Sequence, residues 1–524
     1  MTDTIFHGGV LLAQDPASPV ASALAVRDGR VAAVGRDGDV LSLAGPGTRR
    51  VHLEGRTLVP GFIDAHAHIW KIGHLLTTMV DLRKADSLAA IATRLRGEDA
   101  RRPAGAWLLG RGWNEARLAE GRAPTRQDLD AAVPGRPVVL TRTCGHIMAC
   151  NSAALATAGI TAATATPPGG VIERDASGTP TGLISENATG LLNAAMPVPA
   201  RDDYAAMIDA ALRHQLSLGI TSSNDAGVDS ALLDTYRWMD DEQRLPSRVN
   251  VMIRGVVEGT ARLSALRSQL SDFLRIDSVK FLADGGLSGA TAALSVPYRH
   301  ADTRGVLRFE DAELLALCRT AHDAGFRIAI HAIGDVAIDQ VLRVYEALGS
   351  GPVRHRIEHL GLPSADHLRR AARLGVIAAP QAVFLHELGR NFRACLPGEF
   401  LDRAYPIRAM LDAGLTVALS SDAPVVESDD PLLGMSAAIT RRTADGETLA
   451  PGQAITAAEA LWAYTMGGAI ASGDDTNRGS LTVGKWADLA LLSDNPLTVP
   501  PEELPAVRVE QTWLGGNLVF ERAA

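Results

Sequence analysis

The sequence predicts an α/β fold in which a (β/α)8 barrel of the TIM type carries a small β-sandwich domain and an α/β insertion. Three observations favour this fold. Eight short apolar runs lie along the middle of the chain, helical patterns separate many of them, and short strands broken by glycine-rich turns fill both ends. Buried strands that alternate with helices are typical of parallel sheets, and eight of them suggest a closed barrel. The same pattern leaves a doubly wound open sheet as the alternative.

The eight apolar runs predict the barrel strands. Each run ends abruptly in polar residues, and near-continuous apolar runs of this kind indicate strands that are buried on both faces. One helical pattern, at residues 311–324, places leucine, cysteine and alanine at helical spacing and ends before Gly325. The predicted strands lie at 61–64, 219–224, 248–253, 278–282, 326–330, 354–358, 376–379 and 415–419.

The two ends of the chain predict a separate β domain. Asp28 and Gly29 lie between two apolar runs, which is a hairpin signal. The last residues of the chain contain similar short runs separated by glycines. We therefore expect residues 1–58 and 473–524 to form one β-sandwich domain beside a barrel of residues 59–472.

A long segment, residues 72–215, separates the first predicted barrel strand from the second. Most connections between a strand and a helix are only a few residues long, so a segment of this length indicates an insertion. We expect the insertion to build over the mouth of the barrel, where it would shape the substrate pocket.

Composition and charge exclude several classes of protein. The 524 residues are 46% hydrophobic and 21% charged, which is close to the average of globular proteins. The net charge of −9 is spread along the chain, which disfavours a nucleic-acid partner, and no apolar run is long enough to span a membrane. The N-terminus lacks the pattern of a signal peptide. We therefore expect a cytoplasmic protein that acts on a small molecule, with a homo-oligomer left open.

Polar residues of metal-binding type follow the predicted strands. Catalytic residues of (β/α)8 barrels lie at the carboxyl ends of the strands, so five separate segments direct polar groups toward one mouth. Each residue also has a structural alternative, since the lysine could pair with Asp284, a histidine could pack in the core, and the aspartate could cap the turn before Pro424. The residues are His66, His68, Lys280, His331, His359 and Asp422.

These residue types suit a divalent metal ion. Neutral imidazole and carboxylate are common ligands of zinc, and His66 and His68, as alternate residues of an extended segment, could face one ion. A bound divalent ion lowers the pKa of water to about 7. A carboxylate beside that water could accept its proton and pass it to a leaving amine, a role that suits Asp422.

Several motifs around these residues resemble the amidohydrolase superfamily, and together they span nearly the whole chain. The last motif resembles the strand with which the superfamily's β-sandwich is completed. The resemblance implies a metal-dependent hydrolase built on a barrel. The motifs are PGFIDAHAH at 60–68, VKF at 279–281, HAIGD at 331–335, RIEH at 356–359, SSDAP at 420–424 and GSLTVGKWADL at 479–489.

Motifs in the predicted insertion resemble the branch of the superfamily that contains N-substituted formamide deformylases. This resemblance implies hydrolysis of a C–N amide bond, in an N-substituted formamide or another N-acyl amine. The motifs are GRGWN at 110–114, PTR at 124–126, LD at 129–130, GH at 145–146, NSAAL at 151–155, GGVI at 169–172 and GLISE at 182–186.

The resemblance also implies a ligand set for two metal ions. Lys280 would bridge the ions after carboxylation by carbon dioxide, because an unmodified lysine is cationic and would repel a metal. Zinc is the metal we expect first, and manganese, iron and cobalt suit the same ligands. The other ligands would be His66, His68 and Asp422 on one ion, and His331 and His359 on the second.

Three residues of the predicted insertion are candidate substrate contacts. His146 follows an apolar run and could reach a substrate carbonyl, with a surface or packing role as the alternative. Trp113 could line the pocket, although aromatic residues of this size more often pack in a core. Glu186 is the third candidate. Cys144 and Cys150 flank His146, but without a nearby fourth ligand we expect them to be free thiols rather than metal ligands.

Two other functions stay open. A single-metal deaminase or cyclic-amide hydrolase of the same superfamily would not need a bridging lysine, so Lys280 argues against it. A non-catalytic barrel that binds a small ligand is the third possibility, because a fold by itself does not prove catalysis. The completeness of the ligand set favours an enzyme.

Overall fold

The computed structural model divides the chain into two compact units. The first contains Met1–Ile69 and Leu212–Ala524, and the second contains Trp70–Ala211. The structure describes residues 2–523 apart from 18, 104, 116, 144, 146, 256–262, 264, 267–270, 350 and 352. Within these ranges, no helix is both long enough and apolar enough to cross a membrane.

Eight parallel strands form the centre of the first unit, and each pairs with the next one along the chain. A doubly wound sheet would reverse its strand order at a switch point, so the sequential order excludes that alternative. A strand is present at each of the eight predicted positions. The strands are β1 (Phe62–Ala67), β2 (Ile220–Val228), β3 (Arg248–Arg254), β4 (Leu274–Leu282), β5 (Arg327–Ala332), β6 (Arg356–His359), β7 (Ile377–Ala379) and β8 (Thr416–Val417).

The fourth strand begins four residues earlier than predicted. Its amino-terminal half alternates between the buried Leu274 and Ile276 and the partly exposed Arg275 and Asp277. That half therefore lacks the continuous apolar run on which the prediction depended. Only the carboxyl-terminal half, which carries Lys280, is buried continuously.

The curled sheet closes between its first and last strands. The backbone nitrogen of Ala65 lies 3.4 Å from the carbonyl oxygen of Leu419. Beyond β8, Asp422 N donates to His66 O over 2.7 Å and His68 N donates to Ala423 O over 2.9 Å. This geometry fits a TIM-type barrel. The same backbone hydrogen bonds hold the end of β1 beside the segment that follows β8.

Helices connect the barrel strands. The predicted helix at 311–324 is observed as Asp311–Asp323, and Gly325 follows it with a φ of 80° that favours glycine. Other helices of the first unit are Asp37–Leu41, Ser230–Asp241, Asp335–Leu348, Ala365–Arg373, Val383–Cys395, Gly398–Leu401, Ile407–Asp412, Pro431–Thr440, Pro451–Gln453, Ala457–Trp462, Ala463–Gly467, Gly468–Ala471 and Pro501–Ala506.

The ends of the chain form two further sheets in the first unit. Side chains from both sheets share one buried cluster, in which the rings of Phe6 and Trp513 pack edge to face at 4.9 Å. The predicted hairpin is present, with φ of 51° at Asp28 and 73° at Gly29, as a type I′ turn requires. In sheet order the strands are Arg30–Gly35, Ala23–Arg27, Thr4–His7 and Arg49–His52, and Asn517–Glu521, Val509–Leu514, Leu489–Leu492, Thr57–Pro60, Val10–Leu12 and Val20–Ala21.

The second unit contains a six-stranded mixed sheet. A buried apolar cluster packs against it and includes Trp113 and Leu140. The helices Ile69–Thr77 and Arg201–Ser217 contain the two boundaries of the unit, and the helices between them are Leu88–Asp99, Arg126–Ala132, Ser152–Thr157 and Thr189–Ala195. In sheet order the strands are Gly170–Arg174, Pro180–Glu186, Ile147–Cys150, Val138–Arg142, Leu108–Trp113 and Val80–Asp81.

Candidate metal centre

The structure brings the six predicted ligands together in the first unit. Each lies toward the carboxyl end of its strand or in the turn that follows, as the barrel prediction required. The residues are His66 in β1, His68 after it, Lys280 in β4, His331 in β5, His359 at the end of β6, and Asp422 after β8.

Three of the ligands form a compact group. The Oδ1 atom of Asp422 lies 3.2 Å from Nε2 of His68 and 3.5 Å from Nε2 of His66. One potential ligand atom from each of these residues lies within 4.8 Å of the other two. An ion of the size of Zn²⁺ could therefore reach all three with small movements of the side chains.

The other three ligands extend this group to one side. Lys280 Nζ lies 3.4 Å from Nε2 of His66. The ring of His359 lies 5.1 Å from the ring of His66 and 4.4 Å from the ring of His331, measured between centroids. The six side chains are therefore one continuous cluster, in which His66 links the two halves.

Hydrogen bonds at the Nδ1 atom orient three of the imidazole rings. Nδ1 of His66 contacts Oε2 of Glu358, Nδ1 of His68 lies 2.9 Å from the carbonyl oxygen of Ala226, and Nδ1 of His359 lies 2.6 Å from Oε1 of Gln381. Acceptors at Nδ1 favour the tautomer in which Nε2 carries the lone pair, which is the arrangement found around histidine ligands of metals.

His331 is oriented in the opposite sense. Its Nε2 lies 3.1 Å from the carbonyl oxygen of Gly285 and 3.3 Å from Oδ1 of Asp284, so Nδ1 is the ring nitrogen that could bind a metal. Asp284 is fully buried and also accepts the backbone N–H groups of Ala293, Ile333 and Gly334. Asp284 therefore fixes the backbone at these three residues and the orientation of the His331 ring.

Burial and the charges of the cluster favour neutral imidazoles at His66 and His359 and an ionised carboxylate at Asp422. Burial, followed by the charge of Lys280, lowers the pKa of His66, and burial with the neighbouring His331 lowers that of His359 well below its ordinary value. Burial would raise the pKa of Asp422, but the close rings of His68 and His66 hold that pKa well below its ordinary range. These are the protonation states that bind a cation.

A buried ion pair supports the His66 ring from behind. Arg356 donates to both carboxylate oxygens of Glu358 over 2.7 Å and 2.8 Å, and both side chains are fully buried. Burial alone would raise the pKa of Glu358, but Arg356 and His66 hold it well below its ordinary value. Glu358 is therefore an anion that accepts a hydrogen bond from the Nδ1–H group of His66.

Two ligand positions have backbone conformations that are unusual for residues other than glycine. The φ angle is 70° at His359 and 56° at Asp422. Left-handed residues with side chains are energetically costly and concentrate at functional sites, where the surrounding structure holds them. The positions of both side chains are therefore set by the fold rather than by local preference.

The residues present fit a divalent metal ion. Oδ1 of Asp422 is buried and makes no hydrogen bond within the described part of the chain, although it faces two imidazole nitrogens. A buried carboxylate oxygen normally has a hydrogen-bond partner or a cation. A cation bound between His66, His68 and Asp422 would be the partner that the carboxylate oxygen lacks, and the two imidazole nitrogens could bind it as well.

Several supporting residues were not predicted from the sequence. Glu358 and Gln381 orient two of the rings, and Asp64 accepts the backbone N–H of Ser421 and the Ser421 hydroxyl beside the β1–β8 closure. Burial raises the pKa of Asp64 to about 7. Glu358 and Asp64 lie one and two residues before predicted ligands, which was the available signal in the sequence.

The predicted substrate contacts lie in the second unit or outside the described residues. Trp113 is 1% exposed, packs in the core of that unit and donates its indole N–H to Leu140 O, so the structure favours the packing alternative. Glu186 ends its strand half-buried with a φ of 51°. His146 and Cys144 lie outside the described residues. Cys150 is a buried free thiol, as expected.

Comparison with known proteins identifies the family of this chain. A family model for the amidohydrolase family matches residues 49–520. The chain belongs to the amidohydrolase family. The predicted resemblance, including the deformylase-like branch, is therefore confirmed.

Individual amidohydrolases resemble the chain over its full length. It is 31% identical to the N-substituted formamide deformylase of Arthrobacter pascens, over 100% of this chain and 99% of that protein. It is 30% identical to YtcJ of Bacillus subtilis over 99% of both chains. A solved structure of an uncharacterized metal-dependent hydrolase from Pyrococcus horikoshii is 28% identical, covers 95% of this chain and 99% of its own, and superposes with a TM-score of 0.80. Amidohydrolase membership supports a metal-dependent hydrolase that acts on C–N bonds.

Proposed function

We propose that this amidohydrolase cleaves the C–N bond of an N-substituted formamide or another N-acyl amine, using two divalent metal ions in the cluster at the barrel mouth. The observation that carries the proposal is the convergence of six ligand-type side chains from five separate segments on one cluster. The similarity to an N-substituted formamide deformylase over the full length of both chains supports the substrate class.

The proposed ligands divide into two sets around a modified lysine. His66, His68 and Asp422 would hold one ion, and His331 and His359 the second. Lys280 lies against the His66 ring, and an ammonium there would repel a cation, so the assignment requires its carboxylation by carbon dioxide. Zinc is our first choice, and manganese, iron and cobalt suit the same donor atoms.

The residues of the chain supply proton transfer and orientation. The ions, when bound, would polarise the substrate carbonyl and lower the pKa of a water molecule. Asp422 would accept a proton from that water and deliver it to the amine nitrogen as the C–N bond breaks. Its depressed pKa keeps it ionised at neutral pH, which is the state that can accept a proton. Glu358 and Gln381 would hold the His66 and His359 rings in place.

The rest of the molecule would shape the site. We propose that the sheets formed by the two ends of the chain are the small β-sandwich domain, and that the second unit is the insertion that builds over the mouth. Specificity in barrels of this kind depends on such added segments. A small-molecule amide is the proposed partner.

Metal analysis and a substrate panel test the proposal together. Protein purified without chelator is assayed for metals by mass spectrometry and for release of amine from N-formyl, N-acyl and cyclic amides. We expect two ions per chain and turnover of the N-formyl or N-acyl compounds. A protein that binds no divalent metal, or that binds two ions and hydrolyses no amide, would contradict the proposal.

A single-metal deaminase or cyclic-amide hydrolase is the second candidate. The observation that favours it is that His66, His68 and Asp422 already form a three-residue metal group without Lys280. The Lys280→Ala variant separates the two candidates. Loss of one or both ions together with activity supports the two-metal site, whereas unchanged metal content and activity support the single-metal enzyme. Incubation with ¹³C-bicarbonate should label the wild-type protein at a carbamate carbon and leave Lys280→Ala unlabelled.

A further inference from the structure

A strained tyrosine lies close to the metal-ligand cluster. Tyr405 belongs to the segment between β7 and β8 and has a φ of 47°, a value rarely adopted by an aromatic residue. Its backbone N–H donates over 2.7 Å to the carbonyl oxygen of Gly361, two residues beyond the predicted ligand His359. Such a conformation persists only where the surroundings hold it, and it is most often found at functional sites.

A buried cation holds the tyrosine in this conformation. The Arg441 side chain is fully buried, and it donates over 2.8 Å to the carbonyl oxygen of Tyr405 and over 2.7 Å to that of Ala404. Its third hydrogen bond goes to the carbonyl oxygen of Leu449. Within the described residues Arg441 forms no ion pair with a carboxylate, so its hydrogen bonds are directed at backbone carbonyls. Arg441 therefore fixes the backbone on which the Tyr405 ring is placed.

Aromatic packing connects the Tyr405 ring to the cluster. The ring lies 5.8 Å from Phe384, measured between centroids, and the Phe384 ring stacks on His359 at 6.2 Å. On another side, the Phe392 ring stacks on Tyr405 at 5.9 Å. Only the ring of Phe384 therefore intervenes along this path between Tyr405 and a predicted metal ligand.

The hydroxyl of Tyr405 lacks the hydrogen-bond partner that two other buried tyrosines have. The side chain is 1% exposed, yet its hydroxyl makes no hydrogen bond with any residue that the structure describes. Tyr298 and Tyr345, which are also buried, donate to the carbonyl oxygens of Ala292 and Arg356. Buried tyrosine hydroxyls usually have a partner, so the Tyr405 hydroxyl is expected to meet a ligand.

The charges around this hydroxyl keep it protonated. Burial, together with the nearby carboxylates of Asp422 and Asp284, raises the pKa of Tyr405 well above its ordinary value. Both carboxylates belong to the site, one as a predicted ligand and the other as the partner of His331. A protonated phenol beside them acts as a hydrogen-bond donor.

We propose that the Tyr405 hydroxyl donates a hydrogen bond to the carbonyl oxygen of the substrate, and that Arg441 is the positioning residue that aims it. The inference rests on the proposed function, because the carbonyl oxygen is the acceptor that an amide presents. This oxygen gains negative charge as water adds to the carbonyl carbon, so a fixed donor stabilises the transition state more than the bound substrate. Tyr405 keeps its proton throughout and forms no covalent bond.

The Tyr405→Phe variant tests the contact. We expect kcat on the N-formyl amines to fall about 10²-fold with little change in KM, because one donor to a developing oxyanion is lost. Metal content and thermal stability should match the wild type. The Tyr298→Phe variant is the matched control, because it removes the hydroxyl of another buried tyrosine that donates to Ala292 O. Equal kcat for Tyr405→Phe and the wild type would overturn the inference.

A binding measurement separates this inference from the proposed function. If the metal-loaded wild type hydrolyses no amide in the panel, the proposed function fails. The contact is then tested by calorimetric titration of N-phenylformamide into wild type and Tyr405→Phe. Weaker binding by the variant supports the contact, and equal binding overturns it.

The positioning role of Arg441 is tested by a double-mutant cycle. Arg441→Lys should lower kcat in the wild-type background and have little further effect in the Tyr405→Phe background, because both changes remove the same contact. An equal fold-loss in both backgrounds would assign Arg441 a role in stability only. If Arg441→Lys does not fold, the same cycle is carried out with Leu449→Ala, which loosens the loop segment that binds the guanidinium.

Discussion

The two ends of the barrel use buried charges in opposite ways. At the amino ends of the strands, Arg248 donates to both oxygens of Asp488 over 2.7 Å and 3.0 Å, and Arg478 donates to Asp474. At the carboxyl ends, Oδ1 of Asp422 is equally buried but makes no hydrogen bond within the described chain. These ion pairs at the amino ends are complete without a ligand, whereas Oδ1 of Asp422 at the carboxyl ends is not.

The buried charges at the two ends of the barrel sheet therefore have different roles, stability at the amino ends and function at the carboxyl ends. Asp488 immediately precedes the strand Leu489–Leu492, so its pair with Arg248 joins the barrel to a sheet formed by the ends of the chain. Asp422 instead lies in a strained turn and faces histidine rings. Charged residues at the amino-terminal face of a barrel favour stability, whereas those at the carboxyl-terminal face favour catalysis. The same substitution, aspartate to asparagine, should therefore have opposite consequences at the two ends.

The largest effect is expected for Asp422→Asn. Removal of the proton acceptor should lower kcat by about 10³-fold and reduce the bound metal, because asparagine supplies neither the charge nor the basicity. The free energy of unfolding of the metal-free protein should change less than it does for the same substitution at Asp488, since Oδ1 of Asp422 makes no hydrogen bond within the described chain. Steady-state kinetics, metal analysis and urea unfolding check these points. Asp412→Asn, at an exposed helix position, is the control and should match the wild type.

The reverse result is expected for Asp488→Asn. The substitution leaves the Arg248 guanidinium buried without its counter-ion, which typically costs about 3–5 kcal/mol of stability. Urea unfolding should therefore shift strongly, while kcat per folded molecule stays close to the wild-type value. If Asp488→Asn instead lost activity at unchanged stability, the assignment of structural and catalytic ends would be wrong.

A smaller effect is expected in the pH dependence of stability, through a buried histidine at the amino ends of the strands. His355, just before β6, accepts the backbone N–H of Ile328 at Nδ1 and contacts His322 through Nε2. Burial, followed by the neighbouring His322, lowers the pKa of His355 from 6.5 to about 4. The unfolded chain therefore binds more protons between these values, so this contribution to stability is complete above the unfolded pKa and is lost as the pH falls toward the folded one.

The His355→Asn variant measures this contribution, because asparagine can still accept the Ile328 N–H. Between about pH 7.5 and about pH 5, the wild type should lose about 2 kcal/mol more unfolding free energy than the variant. Side chains that do not contact His355 are unchanged in the variant and cancel in the difference. The control is His300→Asn, which makes the same substitution at an exposed position. Parallel curves for wild type and His355→Asn would contradict the prediction.

The ligand cluster could be predicted from the sequence because two local signals coincide there. Continuous apolar runs identify buried parallel strands, and polar residues at their carboxyl ends must converge if the strands close into a barrel. His331 and His359 were predicted on that basis, and their rings lie 4.4 Å apart. The order of the strands had to come from the structure, because the same apolar runs also suit a doubly wound sheet.

The residues that orient the cluster could not be predicted in this way. Glu358 contacts His66 across 292 positions of sequence, and the side chain of Arg441 reaches the backbone of Tyr405 across 36. Such pairs depend on three-dimensional packing that no local pattern records. Trp113 shows the opposite case, in which a motif residue proposed for the pocket packs in a core because its large ring and N–H are both satisfied there.

The smallest effect tests whether hydrogen bonds or packing aim the ligands. Gln381 lies 2.6 Å from Nδ1 of His359 and donates to Ala379 O and the Ser420 hydroxyl. In Gln381→Met the ring loses its acceptor, and metal affinity should fall about 10-fold, as is usual when a partner of a ligating histidine is removed. Competition with a chromophoric chelator measures the change.

The matched control for this comparison is Gln340→Met. Gln340 is also fully buried and hydrogen-bonded, to Phe309 O and Asp311, but it contacts no predicted ligand. It should lower stability without changing metal affinity. If both variants bind metal as tightly as the wild type, the Phe384 ring that stacks on His359 is sufficient to aim the ligand. The side chains at the carboxyl end would then be held in the same way as those at the amino end. The two ends would differ in Asp422, whose carboxylate oxygen Oδ1 has no hydrogen-bond partner within the described chain and is available to a cation.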